Sequence, residues 1–488
     1  MIPESLSDAS ARAALRFFMS RLDWFRLKCY ATMLHLAPQA IQIWGDTPSP
    51  PLVHRLLTLV ADDAASSAHT WQLRDDTWAR TSWDQPGSIP PPQPVTAHAG
   101  DRLSAVELER ADIQTLLSPP DPVVWMATGQ YALPNLKFAS LADAGGVPRW
   151  CVGTDHDERT AGLKAVGEGV ERFALGDFSV AELEHRSANS LEGDWLHPGL
   201  VAAYAPQQRV RLGLESFDTD APEWWVRGDG PQGPAWLPAA LVFCPFTGQE
   251  QWLAPGYSSS NGAAAHPTSR GARIRAFLEL IERDAFMRCY VAGTPPPSLN
   301  LNSLSTRVGS LHAAIRRETD RCGAFILTST LGIGAVGFAA WLDGRVCIGA
   351  SVGPDINATA WKAMTEALVQ LRHPLSEPLH DPTLVRTPED HGRLYSSTSA
   401  SSTVRWLLDG ERSTMLPTLN SSQLAAALRP AYFHVRRVNN WHIARCIDPR
   451  LIQLTFGYDN ELLAHRALSA ARARNDSLTD PLFPHPFA

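Results

Sequence analysis

Two short segments of the chain carry the same arrangement of acidic and basic residues. Each has the sequence Glu-x-x-Glu-Arg within an apolar stretch: Glu168, Glu171 and Arg172 in the first, and Glu279, Glu282 and Arg283 in the second. Positions i, i+3 and i+4 share one face of a helix, so each segment predicts two carboxylates and a guanidinium pointing the same way. For one such segment taken alone, a solvated ion-pair face is the ordinary interpretation.

The residues around the second segment argue against a solvated face. Apolar side chains surround it on nearly every side: Phe277, Leu278, Leu280, Ile281, Ala285 and Phe286. A helix that is apolar all round is buried, and buried carboxylates are rarely left unpaired because desolvating an ion is costly. Two arginines cannot neutralise four glutamates, so a further cation is expected between the helices. Carboxylate oxygens favour Mg²⁺, which is commonly shared with substrate phosphates.

A third segment, residues 361–372, contains Thr365, Glu366, Gln370 and Arg372. Glu366 and Arg372 are not spaced to share one helical face, so Arg372 is expected where the helix ends. Taken alone, this segment is also consistent with ordinary helix polarity.

The elements that must position these residues follow an α+β pattern. Three strands are predicted at 324–330, 336–341 and 346–351, followed by a helix over 358–371. A Ser/Thr-rich flexible loop is expected at 396–403, and helical patterning returns at 460–475. The proline-rich end, residues 481–488, excludes a helix or an interior strand.

The N-terminal part has a different character. Residues 8–36 predict one or two amphipathic helices, and residues 84–96 resemble a linker of polyproline type. We expect the main domain boundary between Pro90 and Asp121. This gives a small N-terminal accessory region, residues 1–115, and a main domain, residues 116–488.

Composition excludes several classes of protein. Of 488 residues, 44% are hydrophobic and the net charge is −7, which favours a large buried core and argues against a nucleic-acid binder. The seven cysteines form no Cys-x-x-Cys pair, which argues against a zinc ribbon. A signal peptide and an apolar run of about 20 residues are both lacking, so we expect a cytoplasmic protein outside the membrane. Phosphate-loop, His-Glu-x-x-His and Gly-x-Ser-x-Gly motifs are also missing.

The stretch from Ser260 to Ala285, which contains the second segment, resembles the signature of the YcaO family. The first and third segments occur in the family's order, and the resemblance extends from about Pro120 to Ala488. It implies an α+β domain with mixed sheets and ATP-binding helices. By position, Glu168, Glu171, Glu279 and Glu282 would be Mg²⁺ ligands. The residues that would hold or orient ATP are Arg172, Arg283, Glu366 and Arg372.

The resemblance also implies a reaction. YcaO enzymes activate a backbone amide oxygen, and cyclodehydratases of the family convert Cys, Ser or Thr of a ribosomally made precursor peptide to azolines. The proline-rich end is similar to theirs, which implies that Pro484, Pro486 and the Ala488 carboxylate reach the active site. Thioamide or amidine formation is an alternative within the family.

Several positions depart from the family's pattern. Gly271 and Pro267 stand where a Glu and an Asn are usual, Ala488 replaces a frequent Pro, and Lys164 replaces a Ser. Lys164 would compensate in part by pairing with a phosphate. These departures keep a second alternative open, a scaffold subunit that no longer hydrolyses ATP.

The resemblance suggests partners as well. Relatives often depend on a protein that binds the leader part of the precursor, and we expect a separate partner of this kind. Residues 1–115 would be its docking region or, equally, a packing appendage. Because relatives commonly form dimers, a homodimer is a further expectation.

Overall fold

The structure is a computed structural model. It describes residues 69–74, 77–82, 123–130, 137–143, 151–155, 158–176, 178, 182–244, 246, 250–254, 257, 259–372, 377–413, 419–438, 440–475 and 478–487. The helices predicted at 8–36, the linker at 84–96 and the residue Ala488 lie outside these ranges, and the boundary near residue 116 stays a prediction. The described residues form two compact units. The first runs to Ala174 and includes 265–268 and 436–443, and the second contains the rest.

The first unit contains five strands and one long helix. The elements are β1 (His69–Arg74), β2 (Thr77–Ser82), β3 (Val123–Gln130), β4 (Lys137–Asp143), β5 (Cys151–Asp155) and α1 (Glu158–Gly176). β1 and β2 pair as an antiparallel hairpin, and β3-β4-β5 form a separate antiparallel sheet.

Helix α1 packs directly on the backbone of β5. A methyl group added at Gly153 of β5 would overlap the carbonyl oxygen of Ala161 and lie 2.6 Å from the amide nitrogen of Ala165. On its apolar side, α1 buries Val166 and Val170 in a cluster with Trp441. The absence of a side chain at Gly153 therefore sets how closely the helix approaches the strand.

The second unit contains most of a seven-stranded sheet. The strands are β6 (Glu184–Ser187), β7 (Asp194–Trp195), β8 (Pro222–Gly230), β9 (Gly233–Pro238), β10 (Ala263–His266), β15 (Tyr432–Val438) and β16 (Trp441–Ile447). Their order is β10-β16-β15-β8-β9-β7, with β6 paired to β8. β8 is antiparallel to β6, β9 and β15, whereas β7 is parallel to β9.

A second sheet is an antiparallel meander. Its strands are β11 (Ser298–Leu299), β12 (Arg321–Thr328), β13 (Gly334–Leu342) and β14 (Arg345–Ser351). Helix α6 (Ile356–Arg372) packs on β13 and β14. A methyl group at Gly349 of β14 would overlap the carbonyl oxygen of Ala363 and lie 2.9 Å from Cβ of Glu366. As Gly153 does for α1 in the first unit, Gly349 allows close packing of the helix that carries an acidic residue, here Glu366 of α6.

Helix α4 (Ser269–Ala292) runs through the core of this unit, with Phe277, Ile281 and Phe286 fully buried. Gly293 ends the helix in the left-handed conformation, with φ of 61°. The remaining helices are α2 (Pro206–Leu212), α3 (Ala239–Val242), α5 (Thr306–Glu318), α7 (Pro388–Leu394), α8 (Thr398–Ser402), α9 (Ser421–Leu428) and α10 (Ser469–Arg472). None of the described helices combines the length and the apolar character that a membrane span requires.

Most of the predicted elements are confirmed, with boundaries shifted by a few residues. The three strands at 324–351, the helix at 358–371 and both Glu-x-x-Glu-Arg helices are present, and residues 478–487 contain no helix or strand. The prediction of a flexible loop at 396–403 was wrong, because the Ser397 hydroxyl caps α8 and Ser401 is buried. The helix at 460–475 was largely wrong, since only residues 466–472 are helical.

Candidate active site

In the first unit, Glu168 of α1 lies against the start of β5. The Glu168 carboxylate accepts the Val152 amide at 2.8 Å and the Arg172 guanidinium at 2.6 Å. Glu168, Glu171 and Arg172 are all half-buried. Lys164, one turn before Glu168, donates at 2.8 Å to the Asp155 carboxylate. The predicted phosphate-binding lysine therefore already has an acidic partner.

In the second unit, α4 places both of its glutamates against one arginine. The Arg283 guanidinium is 2.9 Å from Glu282 and 3.3 Å from Glu279. The side chain of Glu282 is only 3% exposed. Burial raises the pKa of Glu282 to about 8, and it also raises the pKa of Glu279, with Arg283 opposing the shift in both cases. One guanidinium does not compensate two carboxylates, of which Glu282 is buried and Glu279 is half-buried.

Helix α6 adds a third carboxylate, that of Glu366, which was predicted. It also adds a cation, Lys362, which the sequence interpretation missed. Lys362 Nζ lies 3.3 Å from Oε1 of Glu366 and 3.8 Å from Oε2 of Glu282. The pKa of Lys362 is raised, chiefly by Glu366, so the amine stays charged. The i, i+4 spacing of Lys362 and Glu366 was the available sequence signal. Arg372 is the last residue of α6, as predicted, and its side chain is outside the described part of the chain.

We call Glu279, Glu282, Arg283, Lys362 and Glu366 the acidic cluster. With every group ionised it carries one net negative charge, and its donor atoms toward a metal are all carboxylate oxygens. Oxygen ligands of this kind fit Mg²⁺, and a buried carboxylate with a raised pKa gains when a cation approaches. Within the described ranges, no three His, Cys, Asp or Glu side chains converge as a metal-ligating group. Phosphate oxygens and water are the expected additional ligands of such an ion.

Asp284, next in sequence to Arg283, has a structural role. Its fully buried carboxylate accepts the Thr330 amide at 2.5 Å, the Thr330 hydroxyl at 2.9 Å and the Ile452 amide at 3.1 Å. It therefore ties α4 to the turn after β12 and to the segment after β16. Sequence reasoning missed this role because neither partner is close in the chain.

The loop before α4 is also held from a distance. Arg445 donates to the carbonyl oxygens of Leu241, Ser259 and Asn261. Gly262 has φ of 69°, and a Cβ there would lie 2.7 Å from Leu280, one helical residue past Glu279. Two departures seen in the sequence are in this region. Pro267 lies two residues before the start of α4, and Gly271 lies in its first turn, two turns before Glu279, and supplies no carboxylate.

The proline-rich segment, defined here as residues 478–487, reaches the acidic cluster. The guanidinium carbon of Arg283 lies 4.4 Å from the centre of the Phe487 ring. The centres of the Phe286 and Phe487 rings are 4.9 Å apart. Pro484 and Pro486 are both buried. Of the three residues predicted to reach the active site at this end of the chain, Pro484 and Pro486 are thus packed inside the second unit.

Among the residues predicted for the site, the second unit brings Glu279, Glu282, Arg283 and Glu366 together. In the first unit, Glu168 and Arg172 are in contact and Lys164 lies one turn away. The proximity of the α1 residues to the acidic cluster stays a prediction.

Comparisons with known proteins identify the family of the chain. The family model described as YcaO cyclodehydratase, ATP- and Mg²⁺-binding, matches residues 152–435. No curated protein matches the chain significantly. The structure of YcaO from Methanopyrus kandleri bound with AMPPCP and Mg²⁺ is similar, with 17% identity, a TM-score of 0.51, and coverage of 70% of this chain and 89% of that one.

Two further solved structures share the fold. The heterocyclase TruD matches with 17% identity and a TM-score of 0.51, over 68% of this chain and 50% of its own length. The E. coli microcin synthetase McbBCD complex matches with 13% identity and a TM-score of 0.50, over 75% of this chain and 98% of the matched one. The chain thus spans about half the length of the heterocyclase TruD. Because the family model covers more than half of this chain, the chain belongs to the YcaO family and takes ATP and Mg²⁺ as its cofactors.

Proposed function

We propose that this chain is an ATP-dependent cyclodehydratase that converts Cys, Ser or Thr residues of a ribosomally made precursor peptide to azolines. The observation that carries the proposal is the acidic cluster, which lies beside the proline-rich segment and has Glu282 buried at its centre. This combination would provide a site for Mg-ATP next to a surface that the peptide substrate could contact.

Each residue that was predicted to hold the metal or the nucleotide has a role in this proposal. Glu279 and Glu282, with Glu168 and Glu171 of the first unit, would hold Mg²⁺. Arg172, Arg283, Glu366 and Arg372 would hold or orient the nucleotide, and Lys164 would have to leave Asp155 to contact a phosphate. Lys362 joins this set because its amine already faces Glu282 and Glu366.

The chemistry is phosphoryl transfer, in which the protein mainly positions groups and neutralises charge. The substrate side chain attacks the carbonyl carbon of the preceding amide, and the oxyanion that forms keeps the former carbonyl oxygen. ATP, when bound, supplies the phosphoryl group that makes this oxygen a leaving group. The attacking side chain gives up its own proton, and loss of phosphate and of the amide proton then gives the ring. Each ring therefore removes one oxygen and two hydrogens from the peptide, the mass of one water. Arg283 and Lys362 would stabilise negative charge on the phosphoryl oxygens.

The test is an incubation of the full chain with Mg-ATP, a leader-binding partner and a precursor peptide. The natural precursor is best sought as a short reading frame rich in Cys, Ser and Thr beside the gene. We expect each ring to lower the peptide mass by the mass of one water, and Glu282→Gln to abolish this loss. Turnover of ATP with an unchanged peptide mass would contradict the proposal.

A scaffold subunit that does not hydrolyse ATP is the second candidate, and Gly271 favours it because it removes a carboxylate expected by resemblance. Calorimetry with Mg-ATP separates the two. Micromolar binding that Glu279→Ala abolishes, together with ATP hydrolysis, would rule out the scaffold. Thioamide formation is distinguished by a gain in peptide mass, since sulfur replaces oxygen, and by survival of activity without Pro484 to Ala488.

A further inference from the structure

The proline-rich segment cannot hold itself in place through its own backbone donors. Proline has no N–H group, so Pro484 and Pro486 offer only carbonyl oxygens. A buried carbonyl needs a donor from elsewhere, and a segment without regular structure receives none from a sheet or helix. Three consecutive carbonyls, those of Phe483, Pro484 and His485, each accept a hydrogen bond from a side chain of the second unit.

Two tyrosines supply the first donors. The Tyr290 hydroxyl, near the end of α4, is 2.9 Å from the carbonyl oxygen of Phe483. The Tyr395 hydroxyl, just after α7, donates to the carbonyl oxygen of Pro484 at 2.8 Å. The two hydroxyls are 3.3 Å apart. Burial raises the pKa of both phenols, so both keep the proton that they donate.

A histidine supplies the third donor. Nδ1 of His391 lies 2.7 Å from the carbonyl oxygen of His485, and Nε2 of the same ring is 3.1 Å from the Gly457 amide nitrogen. Only the neutral ring with its proton on Nδ1 satisfies both bonds, because Nε2 must accept. The His485 ring, 4.4 Å from His391, donates from Nε2 to the carbonyl oxygen of Thr455 at 2.9 Å.

These contacts fix the point at which the segment meets the acidic cluster. Two residues beyond His485, the Phe487 ring lies over the guanidinium of Arg283. Tyr290 is on the same helix as Arg283, seven residues and two turns later, so the segment is held along one side of α4. A loss of the carbonyl bonds would free Phe487 without removing any group from the cluster.

We infer that Tyr290, Tyr395 and His391 form a carbonyl clamp, a set of positioning residues that holds the proline-rich segment against Arg283. The inference rests on the proposed function in one respect, that the segment's position matters for ring formation. The clamp residues do not touch the reacting atoms in this account. Their effect is exerted through Phe487 and Arg283.

The experiment compares Tyr290→Phe, Tyr395→Phe and the double variant with Tyr458→Phe, whose lost hydroxyl bonds none of these carbonyls. Fluorophenylalanine placed at position 487 of the full chain reports the ring's surroundings by ¹⁹F NMR without any enzyme assay. We expect the double variant, which keeps only the His391 bond, to move this resonance toward the position of an unfolded peptide. Tyr458→Phe should leave it in place.

Activity provides the second readout. In the double variant we expect kcat for ring formation to fall about tenfold or more, while the Kd for Mg-ATP stays within about twofold of wild type. The single variants, each of which keeps the other tyrosine, should fall between and should unfold at nearly the wild-type temperature. An unmoved ¹⁹F resonance in the double variant overturns the clamp, whatever the activity. A moved resonance in a protein whose wild type forms no rings upholds the clamp and overturns the proposed function.

Discussion

The guanidinium carbon of Arg283 lies 4.4 Å from the centre of the Phe487 ring, so one arginine serves two parts of the site. The same side chain forms ion pairs with Glu282 and Glu279. A cation held between carboxylates and an aromatic face is attracted to both, and the attraction grows where water is excluded. A change in the charge of the acidic cluster should therefore change how strongly Arg283 attracts the Phe487 ring of the proline-rich segment.

Glu282→Gln should separate nucleotide binding from folding. Because burial raises the pKa of Glu282 to about 8, the folded protein loses stability as pH rises from about 5 to 8 without metal. The glutamine variant lacks this loss, so at pH 8 without Mg²⁺ it should unfold at or above the wild-type temperature. Its affinity for Mg-ATP should fall by about tenfold or more. Calorimetry and thermal unfolding measure the two effects.

The matched control is Glu411→Gln, an exposed glutamate outside the cluster, which should change neither quantity. An unchanged Mg-ATP affinity in Glu282→Gln would show that the nucleotide site is elsewhere.

Lys362→Met should make the protein more responsive to magnesium. The substitution removes one positive charge from beside Glu282 and Glu366, so a divalent cation has more uncompensated charge to neutralise. Adding about 10 mM MgCl₂ without nucleotide should raise the unfolding temperature by about 2 °C more in this variant than in wild type. Lys362→Arg keeps the charge and should behave as wild type, with KCl at equal ionic strength as the salt control. Equal shifts in all three proteins would mean that no cation enters the cluster.

Asp284→Asn should destabilise the second unit. The carboxylate accepts three hydrogen bonds in a fully buried position, and the amide can replace at most part of them. We expect the free energy of unfolding in urea to fall by about 2–4 kcal/mol. Asp409→Asn is the control, because its ion pair with Arg321 is exposed and should contribute less than about 1 kcal/mol. Similar losses in both variants would argue against this role of Asp284.

The His391 ring should make stability depend on pH in the acidic range. Burial lowers its pKa to about 4, whereas in the unfolded chain it is near 6.5. Between these values the unfolded chain binds a proton that the folded protein does not, so stability falls as pH decreases from 6.5 toward 4. His391 alone would contribute about 3 kcal/mol over this window.

Urea unfolding at stepped pH values checks this expectation. The slope for His391→Phe should be smaller than for wild type by up to about 1.4 kcal/mol per pH unit. The buried His485 keeps part of the slope in both proteins, because its pKa is also lowered by burial. His380→Gln, at an exposed position, should retain the full slope. A parallel pH dependence in His391→Phe and wild type would exclude a buried neutral His391.

Local sequence patterns predicted the elements that are regular and buried. The strands β12 to β14 and helix α6 followed from apolar runs between turn residues. The helix expected at 460–475 failed because its apolar residues face the core from irregular backbone, where Asp459 has φ of 64°. The flexible loop at 396–403 failed for a different reason, since its serines satisfy local backbone groups and the Ser401 carbonyl accepts the Trp341 indole at 3.1 Å.

For the site, the sequence predicted only contacts between residues that are close together on one helix. Glu279, Glu282 and Arg283 are neighbours on one helix, and the structure brings them together as expected. The contact of Lys362 with Glu282 could not be predicted, because it joins residues eighty positions apart. The carbonyl clamp could not be predicted either, since no local sequence pattern marks its tyrosines. The approach of Glu168 to this cluster depends on long-range placement and stays a prediction.

The strand glycines Gly153 and Gly349 have a consequence for tracing distant relatives of this chain. Each occupies the spot where a helix backbone touches a strand, so neither position has a side chain that could be exchanged for another and repacked. A descendant that abandoned ATP would be free to replace every carboxylate, yet it would still need an unsubstituted Cα at both spots to keep its helices seated. Gly153 and Gly349, and not the charged residues, would then be the positions that indicate common ancestry.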